Sequence, residues 1–185
     1  MTGFRHVGDE PVADLARLRV VRGTFEGPDG QRFQRDVIRN QEVVAMVPLH
    51  DDGTVTLVRQ YRGPIDRELL EIPAGLCDVD GEGYETGARR ELVEEVGLEA
   101  DRLDLVAAYH PAAGFSDQFV RLYVATGLHE VDHSRQGPEE EAMTVERVSL
   151  DDVPAMIADG RLGDSKTIIG LLLARDHRAR DDQTG

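Results

Sequence analysis

Three glutamates, Glu91, Glu94 and Glu95, lie within five residues of one another and directly follow Arg90. In a helix, residues four positions apart are neighbours, so Glu91 and Glu95 would lie side by side with Glu94 next to them. Like charges at these spacings destabilise an isolated helix, and a cation held between them would reverse that effect. Carboxylates, water and substrate phosphates are the ligands that Mg²⁺ prefers. The stretch therefore predicts a divalent-metal site on a helix.

The residues around this site predict the elements that must position it. In the same helix, Ala88, Leu92 and Val96 fall on one apolar face. Strand patterns cover 20–26, 32–39, 43–49, 54–60, 103–109, 118–126 and 143–149. The turn sequence GPDG predicts a hairpin between the strands at 20–26 and 32–39. The turn sequence HDDG predicts a second hairpin, between the strands at 43–49 and 54–60. The stretch ELLEIPAG is strand-like and leads into the metal-site segment, whereas residues 1–17 carry few ordering signals.

The C-terminal part of the chain predicts two further helices. Ser149 with Asp152 resembles a capping box and would begin a short helix that Gly160 ends. Asp164 or Ser165 would cap a last, apolar helix, and residues 179–185 are expected to form a frayed tail. Strands and helices interleave without regular βαβ alternation, which favours an α+β fold with a mixed sheet between helices.

Composition limits the classes of function. The chain has 185 residues and a formal net charge of -15, from 36 acidic and 21 basic residues, which argues against a nucleic-acid surface. The first ten residues lack an apolar core and the longest apolar run, 168–174, is too short for a bilayer, so we expect no signal peptide and no membrane partner. The single cysteine, Cys77, fits a reducing cytoplasm.

The metal-site stretch also fits a known spacing, G-x6-E-x7-R-E-L-x-E-E-x-G-L. Its defined positions are Gly75, Glu82, Arg90, Glu91, Leu92, Glu94, Glu95, Gly97 and Leu98. This pattern resembles the signature of the Nudix hydrolases, which have one residue fewer between the first glycine and the first glutamate. The extra residue lengthens the loop before the helix and leaves the helical positions intact.

Further motifs are similar to the ADP-ribose pyrophosphatase branch of that family, and most of all to its actinobacterial members. They are RQYR, EIPAG, GFSD and the acidic run before MTVERVSL. The resemblance implies hydrolysis of the pyrophosphate of a nucleoside diphosphate sugar, giving AMP and ribose 5-phosphate from ADP-ribose. It also implies a Nudix αβα sandwich over 41–178 and an N-terminal β region over 1–40 that is exchanged across a homodimer.

The resemblance assigns roles to individual residues of the metal site. It places the metal ligands at Glu91, Glu95, the backbone carbonyl of Ala74 and a glutamate of the acidic run, with Glu94 as a further candidate. The metal would be Mg²⁺, for which Mn²⁺ could substitute. Gly75, Glu82 and Arg90 would have structural roles, with Arg90 bracing the glutamates.

The catalytic base is expected in the acidic run at 139–141. Counting back from Met143 favours Glu140 as the base. An E-x-E pattern in related sequences would instead make Glu139 and Glu141 the base and the metal ligand, and a solvated charged loop is the alternative without function.

Substrate recognition is expected from motifs outside the signature. Arg62 would bind a phosphate and Glu71 a ribose hydroxyl, while the pair Arg35 and Asp36 would meet the adenine. Surface salt bridges are the alternative explanation for each of these residues. Phe25 or Phe33 could stack on the base, although a buried strand residue is the simpler interpretation.

The GFSD turn adds Ser116 and Gln118 as candidate contacts. Related sequences often have a proline before this turn, where this chain has Ala113, and a glutamate after it, where this chain has Gln118. An amide in place of a carboxylate adds donors and removes a charge, so the bound sugar could differ. Other Nudix substrates, such as nucleoside triphosphates or dinucleoside polyphosphates, and a non-catalytic nucleotide-sugar sensor remain alternatives.

Overall fold

The computed structural model describes residues 3–15, 18–79, 81–132 and 142–184. Its strands are β1 Arg5–Asp14, β2 Arg19–Glu26, β3 Arg32–Arg39, β4 Val43–Pro48, β5 Thr54–Arg62, β6 Arg67–Glu71, β7 Ala74–Leu76, β8 Leu98–Tyr109, β9 Val120–Glu130 and β10 Thr144–Ser149. Its α-helices are α1 Tyr84–Val96, α2 Val153–Ala158 and α3 Ser165–Thr184. The chain divides into two compact units. The first contains the residues up to Glu42 and His110–Phe119, and the second contains Val43–Tyr109 and the chain from Val120 onward.

The first unit contains one antiparallel sheet in the order β1-β2-β3. Strands β2 and β3 form the hairpin that the GPDG turn predicts, with Glu26 paired to Arg32 at its end. Although residues 1–17 carry few ordering signals in the sequence, most of them form β1, which pairs with β2 along its length. Strand β1 is almost wholly exposed, so its sequence carries no alternation of apolar and polar residues that would reveal it.

The second unit contains two sheets. One is mixed and has the order β7-β4-β9-β8, in which β4 and β9 are parallel, and the other is antiparallel and has the order β10-β5-β6. The predicted hairpin between β4 and β5 is therefore wrong, although both strands exist. Apart from the bridge between Leu49 and Val55, the two strands lie in different sheets. All six residues of β4 are buried, as expected for a strand with a neighbour on either side and a layer on each face.

The mixed sheet is covered by a helix on each face. Alternate residues of β4 point to opposite faces, so Val44 and Met46 join a core with Ala88 and Leu92 of α1. The intervening residues Val43, Ala45 and Val47 join a second core that includes Leu171 and Ala174 of α3. This arrangement confirms the α+β class with a mixed sheet between helices.

Three predicted boundaries differ from the structure. The strand-like ELLEIPAG is interrupted after Glu71, because Pro73 has no backbone N–H for a sheet, and it resumes as β7. The strand predicted over 103–109 begins earlier, at Leu98, as β8. The frayed tail expected over 179–185 has a helical backbone to Thr184. No helix in the described part of the chain is long and apolar enough to cross a membrane.

Candidate active site

Gly75 lets helix α1 approach strand β7 closely. A Cβ atom built on Gly75 would overlap the carboxylate of Glu91, so no other residue type fits at this position without moving that side chain. Strand β7 is held in the sheet by pairing with β4, where Gly75 lies opposite Val44. The first glycine of the signature is thus needed for the position of a glutamate sixteen residues later in the sequence.

Glu95 is fixed against the same strand. Its side-chain Oε2 accepts a hydrogen bond of 3.0 Å from the backbone N–H of Ala74, and the residue is only 8% exposed. Because Ala88 and Leu92 anchor the apolar face of α1 in the core, Glu95 is carried on the flank of the helix that faces β7. Two of the predicted metal ligands, Ala74 and Glu95, are therefore in direct contact.

Arg90 connects the acidic residues of the signature. Its guanidinium donates to Glu82 at 3.2 and 3.3 Å, and its Nη1 donates to Glu91 at 2.7 Å and to Glu94 at 2.9 Å. The hydrogen bonds to Glu82, together with the charges of the other carboxylates, raise the pKa of Arg90 above its usual value. Arg90 thus contacts protein carboxylates, in the manner expected of a bracing residue.

The Glu91 carboxylate lies in an environment that disfavours its negative charge. Burial raises the pKa of Glu91, and the nearby charges of Glu94 and Asp78 raise it further, while Arg90 opposes this shift. The oxygens of Glu91 and Glu94 converge on one nitrogen of Arg90. Carboxylate oxygens are among the ligands that a hard divalent cation prefers, so these residues have the chemistry that the predicted metal site requires.

The part of the chain that the structure describes has no group of three or more acidic, histidine or cysteine side chains arranged as a cation site. Glu91 and Glu94 instead share Arg90, and Glu95 faces the Ala74 amide. The three candidates for the base, Glu139, Glu140 and Glu141, lie outside the described residues, so the choice among them stays a prediction.

A second charged cluster lies at the end of β6. Glu71 is 1% exposed, and its two oxygens accept hydrogen bonds of 2.7 Å each from Nε and Nη2 of Arg62. Lys166 also donates to Glu71, and to Asp164 at 3.0 Å. Burial alone would raise the pKa of Glu71, but the hydrogen bonds from Arg62 and the charge of Lys166 outweigh burial and lower it. Both carboxylate oxygens therefore accept charged hydrogen bonds from side chains, and the contact of Glu71 with a ribose hydroxyl stays a prediction.

The first unit contains an open cavity of about 330 Å³. The rings of Phe25 and Phe33 are stacked at its edge with centroids 5.6 Å apart, and the Arg35 guanidinium lies 4.9 Å from the Phe33 centroid. Asp36 is exposed and accepts a hydrogen bond of 3.2 Å from Arg22. An aromatic surface beside a guanidinium can stack on a planar nucleobase.

The GFSD turn lines the same cavity in the first unit. Ser116 is buried, and its hydroxyl accepts hydrogen bonds from the Asn40 side chain at 2.8 Å and from the Gln118 backbone at 3.1 Å. The Gln118 carbonyl is 2.9 Å from His110 Nδ1. Both residues therefore help to fix the turn, and their contacts with substrate stay predictions.

Sequence reasoning missed the contacts of Lys166 with Glu71 and Asp164. Asp164 was expected only as a helix cap, which it is, because its Oδ2 accepts from the backbone N–H of Thr167 at 2.9 Å. One signal was available: Lys166 is the only lysine among the 21 basic residues of the chain. Because lysine and arginine side chains are not interchangeable, this single lysine was a position to consider.

The fold and the signature geometry define a Nudix-type hydrolase domain, and comparison with known proteins agrees. The family model described as the NUDIX domain matches residues 39–169. The chain is 36% identical to an ADP-ribose pyrophosphatase of Mycobacterium tuberculosis (strain ATCC 25618 / H37Rv) over 91% of this chain and 82% of that one. It is 33% identical to a methanol dehydrogenase activator of Bacillus methanolicus, over 79% and 78% of the two chains.

A solved structure described as an ADP compounds hydrolase is also similar. It matches with a TM-score of 0.83 and 26% identity, over 96% of this chain and 95% of that one. The chain belongs to the Nudix family. It is a Nudix pyrophosphohydrolase, and enzymes of this family generally need a divalent metal.

Proposed function

We propose that this enzyme hydrolyses the pyrophosphate of ADP-ribose, or of a close nucleoside diphosphate sugar, with Mg²⁺ as its metal. The observation that carries the proposal is the contact of α1 with β7, in which the Glu91 carboxylate lies against Gly75 and Glu95 accepts a hydrogen bond from Ala74. The names of its relatives, an ADP-ribose pyrophosphatase and an ADP compounds hydrolase, support the substrate class.

In the proposed reaction, a water oxygen attacks one phosphorus and the bridging P–O bond breaks, giving AMP and ribose 5-phosphate. Ala74, Glu91 and Glu95 would hold Mg²⁺, with Glu94 and a glutamate of 139–141 as further candidates, and Mn²⁺ could replace it. Bound Mg²⁺ would neutralise the pyrophosphate and lower the pKa of the attacking water. A glutamate of the 139–141 run would accept the proton of that water.

Two parts of the chain would bind the substrate. Arg62, whose side chain is 40% exposed, would contact a phosphate, since a planar guanidinium matches phosphate oxygens in two-point hydrogen bonding. The stacked Phe25 and Phe33, with Arg35 beside them, would hold the adenine.

We also propose a cytoplasmic homodimer that exchanges its N-terminal strands. The exposed apolar side chains of the first unit support this proposal, because a partner chain could cover them. They are Phe4, Val7, Val12, Leu15 and Leu18. Sedimentation of wild type and of Val12→Asp would test the dimer, and a monomeric wild type at micromolar concentration would exclude it.

The decisive experiment for the reaction is a substrate comparison with Mg²⁺. ADP-ribose, GDP-mannose, a dinucleoside polyphosphate and a nucleoside triphosphate would be incubated with enzyme, and the products separated by anion exchange. We expect kcat/KM to be highest for ADP-ribose, with AMP and ribose 5-phosphate as products and no turnover in EDTA. Equal turnover of all four compounds would refute the assigned specificity.

A binding-only role is the second candidate, and one observation favours it, the relative named as a methanol dehydrogenase activator. The intact glutamates of the signature favour catalysis over this role. Absence of hydrolysis, with ADP-ribose still bound in calorimetry, would favour the sensor.

A further inference from the structure

The buried carboxylate of Glu71 has two cationic partners with different exposure. Arg62 binds it through Nε and Nη2 and is 40% exposed, whereas Lys166 is 15% exposed. The Arg62 side chain is therefore the more exposed of the two cationic partners, and the Lys166 side chain is the more buried one. Of the two cations, only Arg62 has the exposure needed to turn toward a ligand.

Lys166 is held in place by contacts around the start of α3. Its ammonium donates to Asp164 as well as to Glu71. Asp164 in turn accepts a hydrogen bond of 2.7 Å from the hydroxyl of Thr167. The Thr167 hydroxyl oxygen itself accepts a hydrogen bond of 3.0 Å from the backbone N–H of Ile72. Thr167 is fully buried, so this chain of hydrogen bonds fixes the lysine relative to the strand end that carries Glu71.

A buried carboxylate that loses its only cation is strongly destabilised, so a carboxylate with a single partner holds that partner tightly. With Lys166 in place, Glu71 keeps one cation when Arg62 leaves. Without Lys166, departure of Arg62 would leave the Glu71 charge uncompensated. The second cation thus lowers the free energy needed to release the arginine.

We propose that Lys166 is a positioning residue that compensates the charge of Glu71, so that Arg62 can leave this carboxylate and bind a substrate phosphate. This inference rests on the proposed function of Arg62 in pyrophosphate binding. In this proposal, Glu71 binds Arg62 while no substrate is present. The only lysine of the chain lies here, where its compact ammonium contacts two carboxylates. A planar guanidinium has a fixed arrangement of donors and would contact the two carboxylates with a different geometry.

The first test is kinetic. Lys166→Met should raise KM for ADP-ribose by about tenfold or more while changing kcat much less, because a charged hydrogen bond must be broken without compensation. Adding Glu71→Gln to this variant should restore KM toward the wild-type value, since the amide no longer holds Arg62. Lys166→Arg, which keeps the charge, should lie closer to wild type than Lys166→Met does.

The control is Arg161→Met, which removes a positive charge from an exposed ion pair with Asp159 and should leave KM unchanged. An unchanged KM in Lys166→Met, or a double variant no better than Lys166→Met, would overturn the proposal. Wild type that fails to hydrolyse ADP-ribose would instead refute the proposed function, so the two failures are distinguishable.

The second test uses the wild-type protein and does not depend on the folding of a variant. Because Lys166 is the only lysine, selective ¹⁵N-lysine labelling gives one side-chain Nζ resonance. We expect this resonance to shift when a non-hydrolysable methylene analogue of ADP-ribose binds, and not to shift in Arg62→Ala. An unmoved Nζ resonance in wild type, while backbone resonances report saturation, would overturn the proposal.

Discussion

The carboxylate of Glu91 occupies the space in which a side chain on Gly75 would lie. This relationship couples strand β7 to helix α1 at the predicted metal site, since Gly75 follows Ala74 and Glu91 precedes Glu95 by one turn. A glycine is needed here for close approach, and not for an unusual backbone conformation. The requirement can be tested separately from the glutamates themselves.

Gly75→Ala should displace the Glu91 carboxylate and weaken metal binding by roughly 10–100-fold, the range found when the surroundings of metal ligands are disturbed. The measurement is the Mg²⁺ concentration that gives half-maximal hydrolysis. Gly83→Ala is the matched control, because the nearest atom to a Cβ there, Thr86 Oγ1, is 3.9 Å away. Equal Mg²⁺ dependence of the two variants would argue against a role for the close approach.

Glu95→Gln should lower kcat by roughly 10²–10³-fold, as for loss of one preorganised electrostatic contact in an active site. The amide retains an oxygen that can accept from the Ala74 N–H, so the thermal midpoint should change little. Glu85→Gln, on the same helix, is the control because Glu85 is exposed and pairs only with Arg89 in the described residues. A kcat of Glu95→Gln close to that of Glu85→Gln would remove Glu95 from the metal site.

The signature helix could be predicted because its information is local. The positions of Ala88 and Leu92 give the buried face of α1, and the glutamates follow on its flank. The contact between Lys166 and Glu71 joins residues 95 positions apart, and no periodicity within either segment reveals it. The assignment of β4 and β5 to different sheets was not predicted, for a similar reason. HDDG identifies the turn between β4 and β5, but the partners of β4 come from distant β7 and β9.

The stability contributed by Glu71 should depend on pH with a defined sign. An isolated glutamate has a pKa of about 4.3, and the folded protein lowers the pKa of Glu71. The unfolded chain therefore binds more protons in this range, so the contribution is present above about pH 4.3 and is lost as pH falls through the folded-state pKa.

Wild type should exceed Glu71→Gln in free energy of unfolding by about 1–3 kcal/mol at pH 7, and the difference should narrow below about pH 4. Urea unfolding at several pH values measures it. Asp159→Asn, which alters an exposed ion pair, should show a smaller difference than Glu71→Gln at pH 7. A difference that grows as pH falls would contradict the assignment of a lowered pKa to Glu71.

The hydroxyl of Tyr109 is buried and has no hydrogen-bond partner among the described residues. Burial, with the charge of Asp164, raises the pKa of Tyr109 to about 12, so the hydroxyl stays protonated at neutral pH. An unsatisfied buried hydroxyl costs about 1–3 kcal/mol. Tyr109→Phe removes this atom and keeps the ring that packs against the core, so it should raise the free energy of unfolding by up to about that amount.

Thermal and urea unfolding of Tyr109→Phe and Tyr61→Phe provide the comparison. Tyr61→Phe makes the same chemical change at an exposed residue whose hydroxyl donates to Asp66 at 2.8 Å. Removal of this hydroxyl should therefore not raise the free energy of unfolding. Stabilisation confined to Tyr109→Phe would confirm an unpaired hydroxyl. Destabilisation by about 1 kcal/mol or more would instead mean that the hydroxyl is hydrogen-bonded in solution, and an ordered water beside Asp164 would then be the partner to seek.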